Sequence, residues 1–479
     1  MYAPVADSSN YTKQLSHMSD IQPTYRNCIN DEVATNIVVA GAKRLDRPLQ
    51  SNILPAKKTS KDMAYEEEEA MDVSDKEAVD STEESNGPST KSTSMPPPVV
   101  SMAKRLEMMA DPNAPNDKPL GVANIFMCAG LVAPLLSNGA AQELETTTGL
   151  SLKEYPCLMN PCRQTIVLLS EQANNILDKT KKGKEAKPYW TRMNSKLMPL
   201  EGGVEEQVNG LVRPVLQIQH DLFKPESIVS PDQVAHAVLL AMERIKVSHS
   251  EVLDLMPGKF KKSKNVEKDA MYAYDQKRLM PYMKIEAHDG QGACSIVQLV
   301  SKPDENGSRS LYFVLPDEVD EESSTLESCI RAVARRVEND NGMCITDKRE
   351  MNFKFPCFDA THDVESIVPL MKSMGAPSMF CQNSLSFEDS LPTDLLETEP
   401  AFVGSMLHFA SFSADHKGAE AKAVTVAAVC SYRSLPPPPI PFHCDRPFIV
   451  ILADGTGQSF NPEFVLKVTG ECLTTDVEP

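Results

Sequence analysis

The chain has 479 residues, a formal net charge of -19 and 41% hydrophobic residues. This length allows two or three domains, or one large domain with a tail, and the modest hydrophobic share predicts some unfolded stretch. The acidity argues against sequence-independent DNA binding, which needs a basic face, so we expect no nucleic-acid partner. No apolar run reaches the length of a membrane span, so we expect no membrane association. The N-terminal residues have no apolar core of signal-peptide length behind a basic start, so ordinary secretion is not expected.

The twelve cysteines are scattered through the chain and do not form a short disulfide framework. With no secretion signal, they are interpreted as reduced thiols of a cytoplasmic or nuclear protein, although export by an unconventional route would also leave no such signal.

Residues 1–100 differ in composition from the rest of the chain. The stretch from Ala64 to Pro98 is acidic, rich in Ser and Thr, and ends in prolines, so it has too little apolar surface to offset the entropy of ordering it. We predict a disordered extension over residues 1–100, most simply a solubilising tail, and a folded domain over residues 101–479. Two other features of the extension are an acidic kinase context and two basic pairs that resemble a weak nuclear signal: Ser74, Ser81, Lys43-Arg44 and Lys57-Lys58.

The first globular patterns are apolar. The stretch from Val122 to Leu144 predicts a buried strand that runs into an apolar helix. Further on, Ser230 suits an N-cap and Pro231 the first helical position, and apolar residues then recur at helical spacing. A helix is therefore predicted here, with one face formed by Val234, Val238, Met242 and Ile245.

The remaining elements mix strands and helices. "ACSIVQLV", "RSLYFVLPDE" and "MNFKFPCF" are predicted strands, and the stretch between the last two is a predicted helix. "DRPFIVILADGTGQSFNPEFVLKVTG" predicts two strands joined by a Gly-rich turn. No regular βαβ alternation is present, which indicates an α+β fold. The predicted helix between the strands has one apolar face, formed by Leu326, Ile330, Val333 and Val337.

Three motifs have a functional and a structural interpretation, and the structural one is preferred for each. Asp454–Gly457 could cradle a phosphate, but a strand follows it where a helix is needed, so it predicts a hairpin turn. Cys157, Cys162 and the His443-Cys444-Asp445 run lack a second matching pair for zinc, so no metal or other cofactor is expected. The basic run from Lys179 to Lys187 could bind a polyanion, but a solvated helix end or loop is the simpler interpretation. No nucleophile has a recognisable local signature, so the chain is not expected to be an enzyme.

The segment from Gly418 to Phe442 is unusual for its position. Read as a strand, it places small side chains on one face, while the opposite face carries Glu420, Lys422, Val424 and Val426. Such a strand could slide between existing strands without a clash, with Gly418 as a hinge. The prolines at 436–439 would stiffen the return. The alternative, an Ala-rich helix with a Pro linker, is disfavoured by the β-branched residues. The small face consists of Ala419, Ala421, Ala423 and Thr425.

At this segment the chain resembles the serpin family. Lys417-Gly418-Ala419-Glu420-Ala421 is similar to the K-G-x-E-A hinge of the serpin reactive-centre loop, and His408 in "LHFASFSADHKG" falls where the family has its shutter histidine. The resemblance runs from Ser101 to the C-terminus and is most specific beyond about residue 300. Further similar stretches are "FHCDRPFIVILADGTG", "MNFKFPCFDATHDVESIVPLMKSMGAPSMF", "RSLYFVLPDE" and "NIFMCAGLVAPLL".

The resemblance implies a fold of three β-sheets with surrounding helices and an exposed loop over residues 416–441. It further implies a monomeric suicide-substrate inhibitor whose partner is a serine protease, or a cysteine protease as a second class. The bond cut by the protease would be Arg433-Ser434, which suits a trypsin-like enzyme, with Tyr432 as the alternative for a chymotrypsin-like one.

The chain departs from the family pattern at several positions. Cys128, Ala129 and Leu131 replace the Ser, Pro and second Ser of the N-x-F-x-S-P-x-S motif, which removes the usual hydroxyl partners of His408. The N-A-x-x-F-K-G-x-W pattern is missing, and the single tryptophan, Trp190, lies far upstream. His416 also precedes the hinge where an acidic residue is common. These departures keep two alternatives open: a non-inhibitory chaperone, carrier or scaffold, and a nuclear interaction protein that acts through its acidic extension.

Overall fold

The computed structural model describes most of the chain beyond residue 97 and one segment before it. The described residues are 31–43, 98–229, 233–246, 249, 252–287, 292–302, 309–317, 325–381, 384–385, 402–417 and 438–475.

Eight α-helices lie within these ranges, and four short 3₁₀ turns accompany them at 108–110, 133–135, 155–158 and 377–380. The helices are α1 Val99–Glu107, α2 Val122–Val132, α3 Asn138–Thr148, α4 Glu171–Lys179, α5 Lys181–Arg192, α6 Val204–Leu216, α7 Leu326–Asp340 and α8 Val368–Ser373.

Fourteen strands lie within the same ranges. They are β1 Asp31–Lys43, β2 Arg163–Leu169, β3 Lys196–Pro199, β4 Gln233–Lys246, β5 Asp254–Ser263, β6 Val266–Ile285, β7 Cys294–Val300, β8 Arg309–Pro316, β9 Lys348–Pro356, β10 Phe358–Ser366, β11 Phe402–Ala414, β12 Ile440–His443, β13 Phe448–Asp454 and β14 Asn461–Val468.

The strands form three sheets, two of which share the long strand β6. The first sheet has six strands in the order β10-β11-β1-β4-β2-β3, and all its neighbours are antiparallel except the β2–β3 pair. In the second sheet, β6 pairs with β5 and β9. In the third sheet, the C-terminal end of β6 pairs with β7, and the strand order continues through β8 and β13 to β14. The α+β class and the three-sheet fold expected from the sequence are thus confirmed.

Several predicted elements are confirmed individually. Strands β7, β8 and β9 cover the three predicted strand motifs, and β13 and β14 form the C-terminal antiparallel hairpin. Helix α7 begins where Thr325 Oγ1 accepts a hydrogen bond from the Ser328 amide at 3.2 Å, and it ends at Asn341, whose φ of 56° is left-handed. Its predicted apolar face packs into the main core.

The helix predicted downstream of Pro231 is wrong, because residues 233–246 form strand β4. Val234, Val238 and Met242 are spaced by four residues, and this spacing keeps residues on one side of a strand as well as of a helix. The alternation of burial shows the strand: Val238, Leu240 and Met242 pack in one apolar cluster, while Ala237, Leu239 and Ala241 pack in another. Ser230 and Pro231 lie outside the described residues.

The strand predicted at Val122 is also wrong. Residues 122–132 form helix α2, and α3 follows from Asn138. Every residue of α2 is buried. A fully buried helix and a fully buried strand both give a continuous apolar run, so hydrophobic periodicity does not distinguish them.

The folded part of the chain also reaches into the predicted extension. Residues 31–43 form strand β1 in the middle of the six-stranded sheet. This stretch holds five β-branched residues, which favour a strand, within a region whose average composition is polar and acidic. Residues 1–30 and 44–97 lie outside the described residues. The five are Val33, Thr35, Ile37, Val38 and Val39.

Among the described residues, no helix has the length and apolar character that crossing a membrane would require.

Candidate functional site

The segment that resembles a reactive-centre loop begins at the C-terminal end of β11. Asp415 and His416 follow this strand and are 9% and 6% exposed. His249 holds the turn, since its Nε2 lies 3.1 Å from the Asp415 carbonyl oxygen, and the Leu253 amide donates to the His416 carbonyl oxygen at 3.0 Å. The Lys417 amide donates to Asp415 Oδ1 at 2.7 Å. The start of the segment is therefore fixed to the body of the protein.

Burial keeps the histidines of this turn neutral. Desolvation lowers the pKa of His249 to about 4, partly offset by its contact with Asp415, and it also lowers the pKa of His416. Because a neutral His249 presents one ring N–H, that N–H is placed on Nε2 facing the Asp415 carbonyl. His249 also meets the edge of Phe355, with ring centroids 6.3 Å apart.

The other end of the segment is fixed in a different sheet. Strand β12 lies parallel to β9, with Ile440 opposite Met351 and Phe442 opposite Phe353. Phe442 is 2% exposed, and its ring centroid is 6.1 Å from that of Phe353. The Cys444 amide donates to the Lys354 carbonyl oxygen at 2.9 Å, which continues the pairing beyond the strand.

Residues 418–437 connect these two fixed ends and lie outside the described residues. Two kinds of predicted site residue fall there: the candidate reactive bond, at Arg433, Ser434 and Tyr432, and all of the hinge beyond Lys417, namely Gly418, Ala419, Glu420, Ala421, Ala423 and Thr425. Lys417 and His408 are described. The structure thus gives the anchor points of the loop expected over residues 416–441.

The two strands that flank the centre of the six-stranded sheet, β11 and β4, run in the same direction, with β1 antiparallel between them. β1 pairs with β4 along its whole length and with β11 from Val33 to Gly41. We call this position between β11 and β4 the strand slot.

The strand slot is covered on both faces of the sheet. One apolar cluster joins Val238 and Leu240 of β4, Leu407 and Phe409 of β11, and helix α6. On the other face, residues of both strands pack in the main core with helix α2. A segment in the slot is therefore a central strand, paired on two sides and enclosed above and below.

His408 lies in β11 beside the slot and is fully buried. Its Nε2 accepts a hydrogen bond from the Gly121 amide at 3.4 Å, just before α2 begins. The ring of His362 from β10 meets it edge-on with centroids 5.0 Å apart. Burial lowers the pKa of His408 well below its ordinary value, with a further decrease from His362. A neutral His408 that uses a backbone donor replaces the hydroxyl contacts missing from this sequence.

Helix α2 is bonded to β4 through two side chains one turn apart. Asn124 Nδ2 donates to the Ala241 carbonyl oxygen at 2.8 Å, and Cys128 Sγ lies 3.5 Å from the Leu239 carbonyl oxygen. The cysteine at the usual serine position therefore still contacts the sheet. Trp190 is buried in α5 and donates through Nε1 to the Leu131 carbonyl oxygen at 2.8 Å, so the single tryptophan supports α2 and does not border the slot.

We call the part of the loop that follows Lys417 and precedes the proposed reactive bond the arm. A buried charge cluster lies at the end of the strand slot near the start of the arm. Arg163 of β2 and Glu243 of β4 form an ion pair at 2.8 Å, and Glu463 of β14 also contacts Arg163. Asn160 Nδ2 donates to Glu243 Oε1 at 2.6 Å. Burial raises the pKa of Glu463 to about 7, against the opposing effect of Arg163. This cluster connects the six-stranded sheet to the C-terminal hairpin. No local sequence pattern indicates it, because its members are far apart along the chain.

The other candidate motifs have structural roles. Gly455 has a φ of 69° in the turn between β13 and β14, and a Cβ there would lie 2.4 Å from the Ser459 carbonyl oxygen, so the predicted hairpin turn is confirmed. Cys162 Sγ accepts from Arg309 at 3.1 Å, and burial raises the pKa of Cys157 to about 11. Within the described ranges, no group of three or more His, Cys, Asp or Glu residues is placed to hold a metal ion.

The basic run is a junction between two helices. Helix α4 ends at Lys179, and α5 begins after Thr180, whose Oγ1 accepts from the Gly183 amide at 3.1 Å. Lys179, Lys181 and Lys184 are exposed, which agrees with a solvated helix end.

Comparison with known proteins tests the resemblance to the serpin family. The family model "Serpin (serine protease inhibitor)" matches residues 254–460. The serpin tengpin, a thermophilic protein, superposes with a TM-score of 0.56 at 13% identity, covering 78% of this chain and 94% of its own. The chain has the serpin fold, and residues 254–460 match the serpin family model. The Manduca sexta serpin-12 structure superposes similarly, with a TM-score of 0.54 at 15% identity, covering 79% of this chain and 99% of its own.

One curated serpin is also similar in sequence. Serine protease inhibitor 88Ea of Drosophila melanogaster is 29% identical over 160 residues, which is 33% of this chain. The match spans only 34% of the length of that relative. The structural likenesses show that the chain has the serpin fold, and its activity and partners are matters for proposal.

Proposed function

We propose that this serpin inhibits a protease as a suicide substrate. The observation that carries the proposal is the placement of the two fixed ends: the chain up to Lys417 follows β11 of one sheet, and the chain from residue 438 continues into β12 of another. A protease can cut a segment held in this way, and the N-terminal piece then remains attached directly beside the strand slot. The similarity to a Drosophila protein named as a serine protease inhibitor supports an inhibitory role.

The chemistry is supplied by the protease. Its serine or cysteine nucleophile adds to the carbonyl carbon of Arg433, the bond to the Ser434 nitrogen breaks, and that nitrogen takes a proton and leaves as an amine. The remaining ester or thioester joins the protease to the arm. Insertion of the arm as a sheet strand then stabilises this complex by new ladder hydrogen bonds and apolar burial.

Arg433 is proposed as the residue that the protease recognises. Its guanidinium suits a trypsin-like pocket with an acidic floor, and Tyr432 would suit a chymotrypsin-like pocket. A panel of serine and cysteine proteases incubated with the full chain tests the proposal. We expect a denaturant-resistant complex with a trypsin-like enzyme and a released C-terminal fragment beginning at Ser434. Cleavage without any complex would instead mark the chain as a substrate.

A second candidate function is that of a non-inhibitory serpin, such as a carrier, chaperone or nuclear interaction protein. It is favoured by β1, which already pairs with both strands that border the slot, and by His416 before the hinge. Thermal unfolding before and after loop cleavage separates the two candidates, because only insertion of the cut arm adds a strand and a large increase in Tm. A role that depends on the acidic extension would appear as partner capture lost on deletion of residues 1–100.

A further inference from the structure

The side of β11 that is open to the arm is fixed by the sheet order. One side of β11 pairs with β10 and the other with β1. An arm that continues from Lys417 through a turn pairs antiparallel with β11, and it reaches the interior of the sheet only on the side of β1. The inserted arm and β1 therefore require the same position.

β1 also has the direction that an inserted arm would have. It is antiparallel to β11, with Val33 opposite Ser411 near the arm end and Gly41 opposite Phe402 at the far end. On its other side, Glu32 lies opposite Ile245 of β4. The chain in β1 thus enters the slot from the end where the arm starts, and it leaves at the opposite end.

The lengths of the two segments agree. With a tight turn after Ala414, antiparallel pairing would place arm residues of about 422–431 opposite residues 411–402 of β11, where residues 33–41 of β1 now lie. This stretch ends just before Arg433, so the arm before the proposed bond is long enough to fill the slot.

The two sequences are alike in composition. β1 reads DEVATNIVVAGAK and the arm reads GAEAKAVTVAAVC. Each starts with an acidic residue within its first three positions, and each continues with alanines and β-branched residues and has no proline. Small and β-branched residues suit a central strand that enters between existing strands.

We propose that residues 31–43 are a built-in occupant of the strand slot that competes with the reactive-centre arm, so that release of β1 controls insertion. The competition rests on the proposed inhibitory function, whereas occupancy of the slot by β1 does not. The partner that fits the vacant slot is an extended peptide of small and β-branched residues, supplied by either segment of this chain.

Occupancy is tested by backbone amide exchange on the full chain. In a central strand, each amide bonds to one neighbour or the other, so residues 31–43 should exchange at least about tenfold more slowly than residues 1–30. Exchange of residues 31–43 at the rate of a free peptide of the same sequence would overturn the proposal.

Competition is tested with the full-length double variant Ile37→Pro/Val39→Pro, because proline removes ladder donors within a central strand. The matched control is Ser8→Pro/Ser9→Pro, also in the first hundred residues. We expect the β1 variant to form the protease complex at least about tenfold faster than the control and the parent, in proportion to the larger fraction of vacant slots. Added peptide of sequence 31–43, but not a scrambled peptide, should reverse the gain. Equal rates in all three proteins would refute competition.

Failure of the proposed function is distinguishable from failure of this inference. If no protein forms a complex, each is cut in the loop and melted: a Tm gain confined to the β1 variant supports competition, and equal Tm changes refute it. Should the proline variant not fold, Ile37→Gly/Val39→Gly weakens the strand more gently and is measured in the same way.

Discussion

Asn36 of β1 lies directly opposite His408 of β11, and across the strand it lies opposite Ala241 of β4. The same level of the sheet is where α2 is bonded to Ala241 through Asn124 and where His408 accepts from Gly121. At its middle, the strand slot is therefore bordered by β4, which is hydrogen-bonded to α2, and by β11, which is hydrogen-bonded to the residue that precedes α2. Movement of either strand requires these bonds to rearrange.

His408→Leu should destabilise the protein by about 1–3 kcal/mol, because the Gly121 amide would lose its acceptor in a buried site. Urea unfolding measures the change, and His220→Gln, at an exposed position, provides the control. A loss no greater than that of the control would show that the bond to Gly121 contributes nothing to stability.

His249 should make stability fall in mild acid. Its folded-state pKa of about 4 lies below the ordinary value near 6.5, so between these values the unfolded chain binds the proton more readily. The contribution is complete above about pH 6.5 and decreases by up to about 3 kcal/mol as the pH falls towards 4. His249→Gln keeps a donor for the Asp415 carbonyl and should flatten this dependence in unfolding measured from pH 7.5 to 4. His220→Gln should keep the slope of the parent.

Glu463 should act in the opposite direction. Burial raises its pKa to about 7, so between the unfolded value near 4.5 and pH 7 the folded state binds the proton more readily, and stability rises as the pH falls through this window. Glu463→Gln still accepts from Asn461 and leaves Arg163 paired with Glu243. The difference in unfolding free energy between variant and parent should change across pH 4.5–7. A constant difference would contradict the assignment.

Arg433→Ala should abolish complex formation with a trypsin-like protease, whereas Tyr432→Ala should leave most of it, because a basic side chain is what the acidic pocket binds. The readouts are the denaturant-resistant band and the N-terminal sequence of the released fragment. The reverse pattern would move the reactive bond to Tyr432-Arg433.

Phe442→Ala should loosen the C-terminal anchor of the arm. Removal of a ring that is 2% exposed and packs on Phe353 should cost about 3–5 kcal/mol. Ile440→Ala is the control on the same strand, since Ile440 is 37% exposed and should cost far less. Chemical unfolding compares the two, and similar losses would mean that Phe442 does not anchor β12.

Local patterns were sufficient for helix α7, whose apolar residues recur at helical spacing on one face, and for the β13–β14 hairpin, whose Gly-rich turn separates two apolar runs. Strand β4 was missed because both of its faces are buried, and residues spaced by four satisfy both periods. The buried ion pair between Arg163 and Glu243 depends on strand pairing between distant parts of the chain, which no short window contains.

β1 shows a different limit of sequence reasoning. Its β-branched residues were visible, but an isolated strand is not stable, and the partners of β1 lie about two hundred residues or more further along the chain. The average composition of residues 1–100 therefore outweighed a short strand signal. The loop expected over residues 416–441 was instead inferred from the motifs on either side of it, which resemble the serpin family.

The pairing of β1 on both sides also bears on how copies of this protein meet one another. Unpaired backbone groups in a sheet are templates for strands from other molecules. With β1 in place, the backbone N–H and C=O groups of β4 and β11 that face the strand slot are paired with a segment of the same chain. Because that segment is covalently connected to the sheet, its local concentration is high. A concentrated solution of this protein should consequently resist insertion of one molecule's loop into another molecule's sheet. A variant from which β1 has been cut away should instead form chains of linked molecules on warming.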